Sequence, residues 1–365
     1  MDIDYLVTGG AGFIGCAFSQ ALFDGVDNGA RQSLVVADNL HPQIHPQRVR
    51  PDALHPLADI RVVDICDGAA WDSILGEVRP RIVIHLAAET GTGQSLDHPL
   101  RHTEVNVNGT ASLIEALNRA GHIPEQVLLA SSRAVYGEGA WRDPGDDSVF
   151  YPGTRTKADM DARQFKIMAP SGAVGIPLPH NASMTHPKPI SVYGATKLAQ
   201  EHLLSAWCAS RSVPLSILRL QNVYGVGQAP HNPYTGIIGL FHRQAAGGQS
   251  INVYEDGDIG RDFVYIDDVV DAFLSAVRNP PTSARTIDVG SGAAITIGEA
   301  AAFIADHYMA PRPEISGAYR HGDVRWATCD RTALELSLGV VPKVDFGEGN
   351  RRISAWLRQT GVICS

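Results

Sequence analysis

The sequence predicts an α/β protein with a doubly wound parallel sheet that has helices on both faces. Two observations support this: short apolar runs alternate with helix-length segments in the first half, and several runs are apolar throughout. A continuous run such as Ile82–Ile84 suits a strand buried on both faces. The expected strands are Tyr5–Thr8, Ser33–Ala37, Ile60–Val63, Arg81–His85, Gln126–Ala130 and Leu215–Arg219, and the expected helices are Gly12–Phe23, Leu100–Ala120, Thr156–Lys166, Tyr193–Ser210, Ile266–Arg278 and Ile297–Tyr308.

The composition excludes several classes of protein. The 365 residues are 44% hydrophobic and 19% charged, which is ordinary for a soluble protein with a large core. A net charge of -9 argues against nucleic acid as a partner, because phosphate backbones bind basic surfaces. No apolar run approaches the roughly 18 residues of a membrane span, and no basic leader precedes the first strand, so we expect neither membrane insertion nor a signal peptide. The cysteines are scattered without a CxxC pair, which indicates no disulfide framework or metal site and fits a reducing cytoplasm: Cys16, Cys66, Cys208, Cys329 and Cys364.

Three glycines between the first strand and the first helix predict a dinucleotide site. Gly9 would allow a tight turn, Gly12 would let the backbone approach a pyrophosphate at the helix N-terminus, and Gly15 would let the helix pack closely. A plain glycine-rich turn is the alternative. The strand–glycine–helix setting favours the cofactor site of a Rossmann-type fold.

Residues at the ends of the next strands extend this prediction. Asp38 ends the second strand, where a carboxylate would accept hydrogen bonds from the adenosine ribose and repel a 2′-phosphate, so NAD is expected rather than NADP. A helix N-cap is the alternative reading of Asp38. Asp64 and Ile65 follow the third strand beside the expected adenine, although Asp64 could equally be a turn residue. The small residues of Leu86–Ala88 follow the fourth strand, where the cofactor would cross the sheet edge.

A YxxxK pair predicts the catalytic group. Tyr193 and Lys197 are four residues apart, so they share one face of a helix, and the lysine ammonium is expected to lower the phenol pKa. Tyr193 could then take a proton from a sugar hydroxyl as hydride leaves the carbon. A surface tyrosine beside a lysine is the alternative. Ser132 favours the catalytic reading, because it ends the fifth strand at the ligand-binding edge of the sheet, whereas alternation turns Ser131 inward.

The chain resembles the extended short-chain dehydrogenase/reductase family, and within it the nucleotide-sugar epimerases and dehydratases. The resemblance implies that Tyr193 is the acid/base, that Lys197 binds the cofactor ribose and tunes the tyrosine, and that Ser132 binds the reacting hydroxyl. The matching residues cover nearly the whole chain in the family's order: Gly9–Gly15, Asp38, Leu86–Ala88, Asn106–Thr110, Ser131–Gly137, Tyr193–Lys197, Leu218–Gly225 and Arg261–Val269.

The resemblance also implies a nucleotide-diphosphate sugar as substrate. Arginine suits a diphosphate because its planar guanidinium makes paired charge-assisted hydrogen bonds. A solvated surface charge is the alternative for Arg320 and Arg325. The expected substrate-binding residues are Ser132, Arg133, Asn222, Arg261, Arg320, Asp323 and Arg325, and the expected cofactor-binding residues are Gly9, Gly12, Phe13, Ile14, Asp38, Asn39, Asp64, Ile65, Leu86, Ala87, Ala88, Asn106, Ser131, Tyr193 and Lys197.

The residues after Ser132 separate the family's reactions. Related 4,6-dehydratases have Asp-Glu at the positions of Arg133 and Ala134, and related decarboxylases have glutamate in place of Ala134. Because alanine transfers no proton, inversion at C4 through a transient 4-keto sugar is favoured. The segments Ser131–Gly139, Gln221–Gly225 and Asn232–Gly236 are similar to 4-epimerases of dTDP-sugars, in particular dTDP-L-rhamnose 4-epimerases.

Several alternatives stay open at this point. A 4-ketoreductase that uses NADPH is disfavoured by Asp38, and a non-catalytic NAD-binding regulator is disfavoured by the intact Ser132, Tyr193 and Lys197. The base is either thymine or uracil, and the identity of the sugar and the carbon at which it is inverted both stay open. Arg133 could contact the sugar or the insert described next, or point to solvent.

The organisation of the chain gives three further expectations. Residues 1–180 would form mainly the NAD-binding domain, and residues 181–365 would complete its sheet and form the nucleotide-sugar region. The segment 141–189, rich in Pro and Gly, would be a lid over the sugar pocket, with an inert surface loop as the alternative. We expect two helices that lie side by side to pair subunits into a homodimer. Their apolar residues could belong either to the core of the subunit or to the dimer interface: Leu113, Leu117, Leu203 and Leu204.

Overall fold

The computed structural model describes residues 1–24, 32–229 and 236–363. The strands, in chain order, are β1 Asp2–Thr8, β2 Leu34–Asp38, β3 Asp59–Val62, β4 Arg79–His85, β5 Gln126–Ser132, β6 Trp141–Arg142, β7 Val149–Phe150, β8 Ile176–Pro177, β9 Leu215–Leu220, β10 Asn222–Tyr224, β11 Asn252–Val253, β12 Gly260–Tyr265, β13 Ala284–Val289, β14 Ala294–Thr296, β15 Glu314–Ile315 and β16 Trp326–Ala327. The α-helices are α1 Phe13–Asp24, α2 Gly68–Glu77, α3 Thr92–Asp97, α4 Pro99–Thr103, α5 Gly109–Arg119, α6 Lys157–Asp161, α7 Val192–Ser210, α8 Ile237–Ala246, α9 Ile266–Arg278, α10 Ile297–His307, α11 Thr332–Leu338 and α12 Phe346–Gln359.

Seven parallel strands form the central sheet, as the alternation of apolar runs and helices predicts. Their order is β13-β9-β5-β4-β1-β2-β3, and every neighbouring pair is parallel. The chain moves outward from β1 in one direction through β2 and β3, and in the other through β4, β5, β9 and β13. The order therefore reverses between β1 and β4, and ligands of such sheets bind in the crevice outside the carboxyl ends at this point.

Each face of the sheet is covered by its own set of helices. Alternate residues of β1 separate the two sides: Tyr5 and Val7 pack with α1 and α9, whereas Leu6 packs with α2, α5 and α7. Leu113, Leu117 and Leu204 lie in this second cluster and are buried, and Leu203 is half-buried. The first three are therefore core residues of the subunit.

One expected helix is interrupted. The sequence predicts a helix over Leu100–Ala120, but the structure has α4, a π-helical turn at Glu104–Asn108, and then α5. A π turn inside a helix is typical of functional positions, because the wider turn re-aims a side chain. Here it points buried Asn106 at the segment that follows β4.

The C-terminal region joins the same core rather than building one of its own. Its β10, β12, β14 and β16 form a four-stranded sheet, and β11 pairs with β15. Residues of α8, α10 and α12 belong to the same apolar cluster as α1 and α9. No helix in the described ranges is long and apolar enough to cross a membrane.

The insert 141–189 is more regular than the sequence suggests. Its strands β6, β7 and β8 form a small antiparallel sheet, and the helix expected at Thr156–Lys166 ends at Asp161. The insert docks on the C-terminal region, because the His180 amide donates to the Thr328 carbonyl at 2.8 Å. Of the segment Asn232–Gly236, only Gly236 belongs to the described residues, and Cys364 lies outside them.

Candidate active site

A cavity of about 1170 Å³ runs along the carboxyl ends of the sheet strands, from the glycine turn to the C-terminal region. Most residues expected from the sequence line it: Gly9, Gly12, Phe13, Ile14, Asp38, Asn39, Ile65, Leu86, Ala87, Ala88, Ser131, Ser132, Arg133, Tyr193, Asn222, Arg261, Arg320 and Asp323. Four expected residues are not among its lining residues: Asp64, Asn106, Lys197 and Arg325.

The glycine turn has the shape that a dinucleotide requires. Gly9 has a φ of 66°, and a Cβ there would lie 2.6 Å from Ala87 Cα. A Cβ on Gly15 would lie 2.4 Å from Gly10 Cα, so this glycine lets α1 close onto the turn. Because α1 begins at Phe13, its free amide groups border the cavity, where they can bind an anion.

Asp38 and Asp64, the two carboxylates expected near the adenosine, differ in position. Asp38 lines the cavity, and its carboxylate accepts hydrogen bonds from the Ala11 amide at 3.0 Å and the Leu40 amide at 2.9 Å. Asp64 accepts from the Cys66 amide at 2.9 Å and lies outside the cavity lining. The structure therefore favours the turn reading of Asp64.

Ser132 and Tyr193 meet at the cavity. Ser132 caps a short 3-10 helix at Arg133–Tyr136 and accepts a hydrogen bond from the Ala134 amide at 3.1 Å, which leaves its own O–H free to donate. Tyr193 lies in the first turn of α7. Burial raises the pKa of the Tyr193 phenol, whereas its hydrogen bond with Ser132 and the charge of Arg133 lower it. At neutral pH the phenol is therefore protonated.

The Lys197 ammonium contacts a side chain other than the phenol, and the charge that acts on the Tyr193 pKa is that of Arg133, so the lowering of this pKa by Lys197 stays a prediction. Its ammonium donates to Gln200 Oε1 at 2.5 Å. Gln200 Nε2 in turn lies 2.8 Å from Thr110 Oγ1 and 3.0 Å from His85 Nε2. Burial lowers the pKa of Lys197 to about 7, against the opposing charge of Glu201.

Asn106 organises the site from outside the lining. Its amide nitrogen donates to the Glu89 carbonyl at 3.0 Å and to Thr196 Oγ1 at 2.9 Å, and its oxygen accepts from the Glu89 amide at 2.7 Å. The π-helical turn thus ties the segment after β4 to the turn of α7 that contains Lys197.

Ser131 turns inward, as strand alternation predicts. Its hydroxyl donates to Glu201 Oε1 at 2.5 Å, and Glu201 also accepts two hydrogen bonds from the Arg219 guanidinium at 2.7 and 2.9 Å. This buried group holds β5, α7 and β9 together, so the Ser131 side chain supports the site although the residue borders the cavity.

Arg133 and Arg261 face the cavity without an ion-pair partner among the described residues. Arg133 Nε donates to Asn222 Oδ1 at 2.8 Å, so two expected substrate-binding residues contact each other. Burial and the charge of Arg261 together lower the pKa of Arg133 to about 9. Arg133 is therefore not a solvated surface residue. Two cations that border one cavity favour an anionic ligand.

The segment Arg320–Arg325 contains two residues that line the cavity and one that lies outside its lining. Arg320 lies over the Tyr254 ring at 5.2 Å, and both it and Asp323 line the cavity. Arg325 does not, which corrects the expectation that it binds substrate: its guanidinium is buried in ion pairs with Glu255 at 3.0 Å and with two further carboxylates.

The insert is not a lid in this structure. None of its described residues lines the cavity, and it packs instead against the C-terminal region. The physical reason is a set of buried contacts from the insert to that region, which includes the Arg155–Glu255 ion pair at 2.7 Å.

The lining residues Gln221 and Tyr254 were not among the site residues expected from the sequence, although Gln221 begins the family-like segment Gln221–Gly225. Gln221 is 4% exposed, and both polar atoms of its side chain have no hydrogen-bond partner among the described residues. Its place before Asn222 at a strand end was a usable signal. Tyr254 lies in an irregular segment whose position depends on tertiary contacts, so sequence patterns could not identify it. No cluster of three or more metal-ligating side chains occurs in the described part of the chain.

Comparisons with known proteins agree with this geometry. A sequence model described as the NAD dependent epimerase/dehydratase family matches residues 5–157 and 166–290. The dTDP-L-rhamnose 4-epimerase of Burkholderia thailandensis is 50% identical, over 97% of this chain and 94% of that protein. The UDP-glucose 4-epimerase of Thermotoga maritima, solved with UDP-glucose, has a TM-score of 0.78 at 26% identity over 99% of each chain. That of Thermus thermophilus, solved in complex with NAD, has a TM-score of 0.74 at 27% identity over 98% of this chain and 99% of that chain.

The buried lysine predicts a pH dependence of stability. Between about pH 7 and about pH 10.4, an unfolded chain keeps the Lys197 proton that the folded chain has released. The free energy of unfolding should therefore rise with pH in this window, by at most about 1.4 kcal/mol per pH unit from this group. We expect Lys197→Met to remove that slope, measured by urea unfolding without cofactor. Exposed Lys157→Met is the control, and equal slopes in the parent and Lys197→Met would contradict the prediction.

Proposed function

The chain belongs to the NAD-dependent epimerase/dehydratase family, and we propose that it is a nucleotide-sugar 4-epimerase whose substrate is a dTDP-linked deoxyhexose. The main supporting observation is that Ser132, Tyr193 and two unpaired arginines border one cavity that begins at a glycine turn. The 50% identity to a dTDP-L-rhamnose 4-epimerase favours this substrate over a UDP-hexose. The glycine turn and Asp38 fit NAD as the cofactor.

Tyr193 would transfer the proton of the reacting sugar hydroxyl, and Ser132 would bind that hydroxyl. When bound, NAD supplies a hydride acceptor at the sugar carbon. Tyr193 would take the proton of the C4 hydroxyl as the C4–H hydride leaves, which gives a 4-keto sugar. After the sugar turns about its diphosphate linkage, Tyr193 returns the proton to the carbonyl oxygen while the hydride returns to the other face of C4. The cycle then has no net redox change.

A phenolate needs positive charge nearby, since burial raises the pKa of Tyr193. Arg133 already contributes such a charge. Lys197 would contribute a second one by binding the cofactor ribose. Its ammonium has three donors, so two can reach ribose hydroxyls while one stays on Gln200.

The diphosphate would lie at Arg133, Arg261 and Asn222, with Arg320 nearby. Apart from Arg133, these residues belong to 181–365, which supports the proposed nucleotide-sugar region of the chain. A 4,6-dehydratase of the same family is the alternative. Ala134 disfavours it, because it cannot protonate a leaving hydroxyl.

The function is tested by incubating the protein with dTDP-L-rhamnose and with UDP-glucose and following C4 inversion by NMR. We expect conversion of the dTDP-sugar without added reductant. Tyr193→Phe should bind substrate and lose turnover by roughly 10²–10⁴-fold, the usual share of general acid–base catalysis. Tyr151→Phe, in the insert, should keep full activity. A product that has lost water would indicate the dehydratase, and an active Tyr193→Phe would make the tyrosine a packing residue.

The cofactor preference follows from the position of Asp38. Its carboxylate would repel the 2′-phosphate of NADP, so NAD should bind more tightly, and Asp38→Ala should narrow the difference. Asp72→Ala is the matched control, because its carboxylate lies outside the cavity lining and makes an exposed ion pair with Arg119. Affinities can be measured by calorimetry, and equal affinities of the parent for NAD and NADP would contradict the assignment.

We further propose a cytoplasmic homodimer. The exposed apolar residues Leu96 and Leu100 support the interface: they lie on α3 and α4, beside α7. Light scattering at micromolar concentration should give twice the mass of the chain. A monomeric mass over that range would contradict the dimer.

A further inference from the structure

One buried arginine of the insert contacts three separate parts of the chain. Arg155 Nη1 lies 2.7 Å from Glu255 Oε2, and Nε lies 3.4 Å from Glu138 Oε1. Nη2 donates to the Asp323 carbonyl at 2.8 Å. The Arg155 side chain is 7% exposed and the two glutamates are 1% exposed, so these charges are removed from water.

A second guanidinium completes the same cluster. Arg325 pairs with Glu255 at 3.0 Å, with Asp256 at 2.7 Å and with Asp258 at 3.0 Å, and its amide donates to Glu138 Oε2 at 2.7 Å. In the described part of the chain, Arg155 and Arg325 thus provide the positive charge for four carboxylates.

Arg261 lies beside this cluster without joining it. Burial lowers its pKa, while Asp323, Glu138 and Glu255 are near enough to raise it, yet none of the three forms an ion pair with it among the described residues. Each glutamate instead forms an ion pair with Arg155 or Arg325, although Glu138 Oε1 and Glu255 Oε1 accept no hydrogen bond in the described chain. The Arg261 guanidinium therefore remains available at the cavity.

We propose that Arg155 is a positioning residue for the diphosphate site, because it occupies Glu138 and Glu255 and so keeps Arg261 free for the substrate. Its hydrogen bond to Asp323 also holds the segment of Arg320 and Asp323 at the cavity wall. The insert then acts as a support of the substrate site. This inference rests on the proposed function in one respect, namely that the anion bound by Arg261 is a nucleotide diphosphate.

The physical argument depends on what happens when Arg155 is removed. A buried carboxylate that loses its counter-charge must protonate or find another cation. Arg133 and Arg261 form no ion pair in the described chain. The charge of Glu138 acts on the pKa of Arg133, whereas the charges of both Glu138 and Glu255 act on that of Arg261, so Arg261 would turn toward one of these glutamates. The diphosphate would then lose a charge-assisted contact, while the cofactor end of the cavity would be unchanged.

The test measures binding of dTDP and UDP to the NAD-loaded protein by calorimetry. Arg155→Gln should weaken nucleotide binding at least tenfold and leave NAD affinity within about twofold. In turnover it should raise KM and leave kcat within about threefold. Arg142→Gln is the matched control, because Arg142 makes an exposed ion pair with Asp147 in the same insert. It should behave as the parent does.

Two further variants separate charge balance from packing. Arg155→Lys keeps the charge and should bind nucleotide more tightly than Arg155→Gln does. The double variant Arg155→Gln/Glu138→Gln removes the carboxylate whose ion-pair partner in the described chain is Arg155 alone, since Glu255 keeps its ion pair with Arg325. It should recover most of the lost affinity, which a packing role would not allow. Unchanged nucleotide affinity in Arg155→Gln overturns the proposal, as does a failure of the double variant to recover it. If Arg155→Gln does not fold, the charge-balanced variant Arg155→Gln/Glu138→Gln is compared with the parent, and a nucleotide affinity more than about fivefold below that of the parent overturns the proposal. A parent that binds neither nucleotide contradicts the proposed function instead.

Discussion

Parallel pairing of β1 with β4 is the constraint on which the site depends. It places Thr8 opposite His85, so that the Thr8 hydroxyl lies 2.7 Å from the His85 ring and also accepts from the Ala87 amide at 3.2 Å. The ring reaches Gln200, which binds Lys197. Because burial lowers the pKa of His85 to about 3, this chain of polar groups adds no charge of its own at neutral pH. The sheet register thus determines where the lysine lies.

The site also depends on which of its arginines are paired with carboxylates and which are not. Arg219 is paired with Glu201, and Arg155 with Glu255, so these cations stabilise the scaffold. Arg133 and Arg261 have no such partner in the described residues and border the cavity. Leaving a buried cation unpaired is costly, so such groups persist where a ligand supplies the opposite charge. Local pairing lets a chain with a net charge of -9 present a positive surface to a diphosphate.

The features that the sequence could predict are those that are marked by residues close to them in the chain. The strands, the glycine turn, Ser132 and Tyr193 are marked by neighbouring residues, and the structure brings them to one cavity. The position of Arg325 depends on Glu255, far along the chain, and that of Lys197 on Gln200, whose own contacts are the distant His85 and Thr110. A helical spacing of four residues places a lysine on the right face but does not say which acceptor it binds. The insert was misread for the same reason, because its docking partners lie near residues 255 and 323.

The route of the chain through the sheet has a consequence for biosynthesis. Strand β5 ends at Ser132, yet its outer neighbour β9 is made more than eighty residues later, and Arg325, which pairs with Asp256 and Asp258, later still. A chain emerging from the ribosome therefore exposes the unpaired edge of β5 until β9 has been synthesised, and these two carboxylates lack their cation until residue 325 has been synthesised. Such intermediates expose surfaces that favour association with other chains. Expression yield should accordingly depend on translation speed and on chaperones that shield nascent β5.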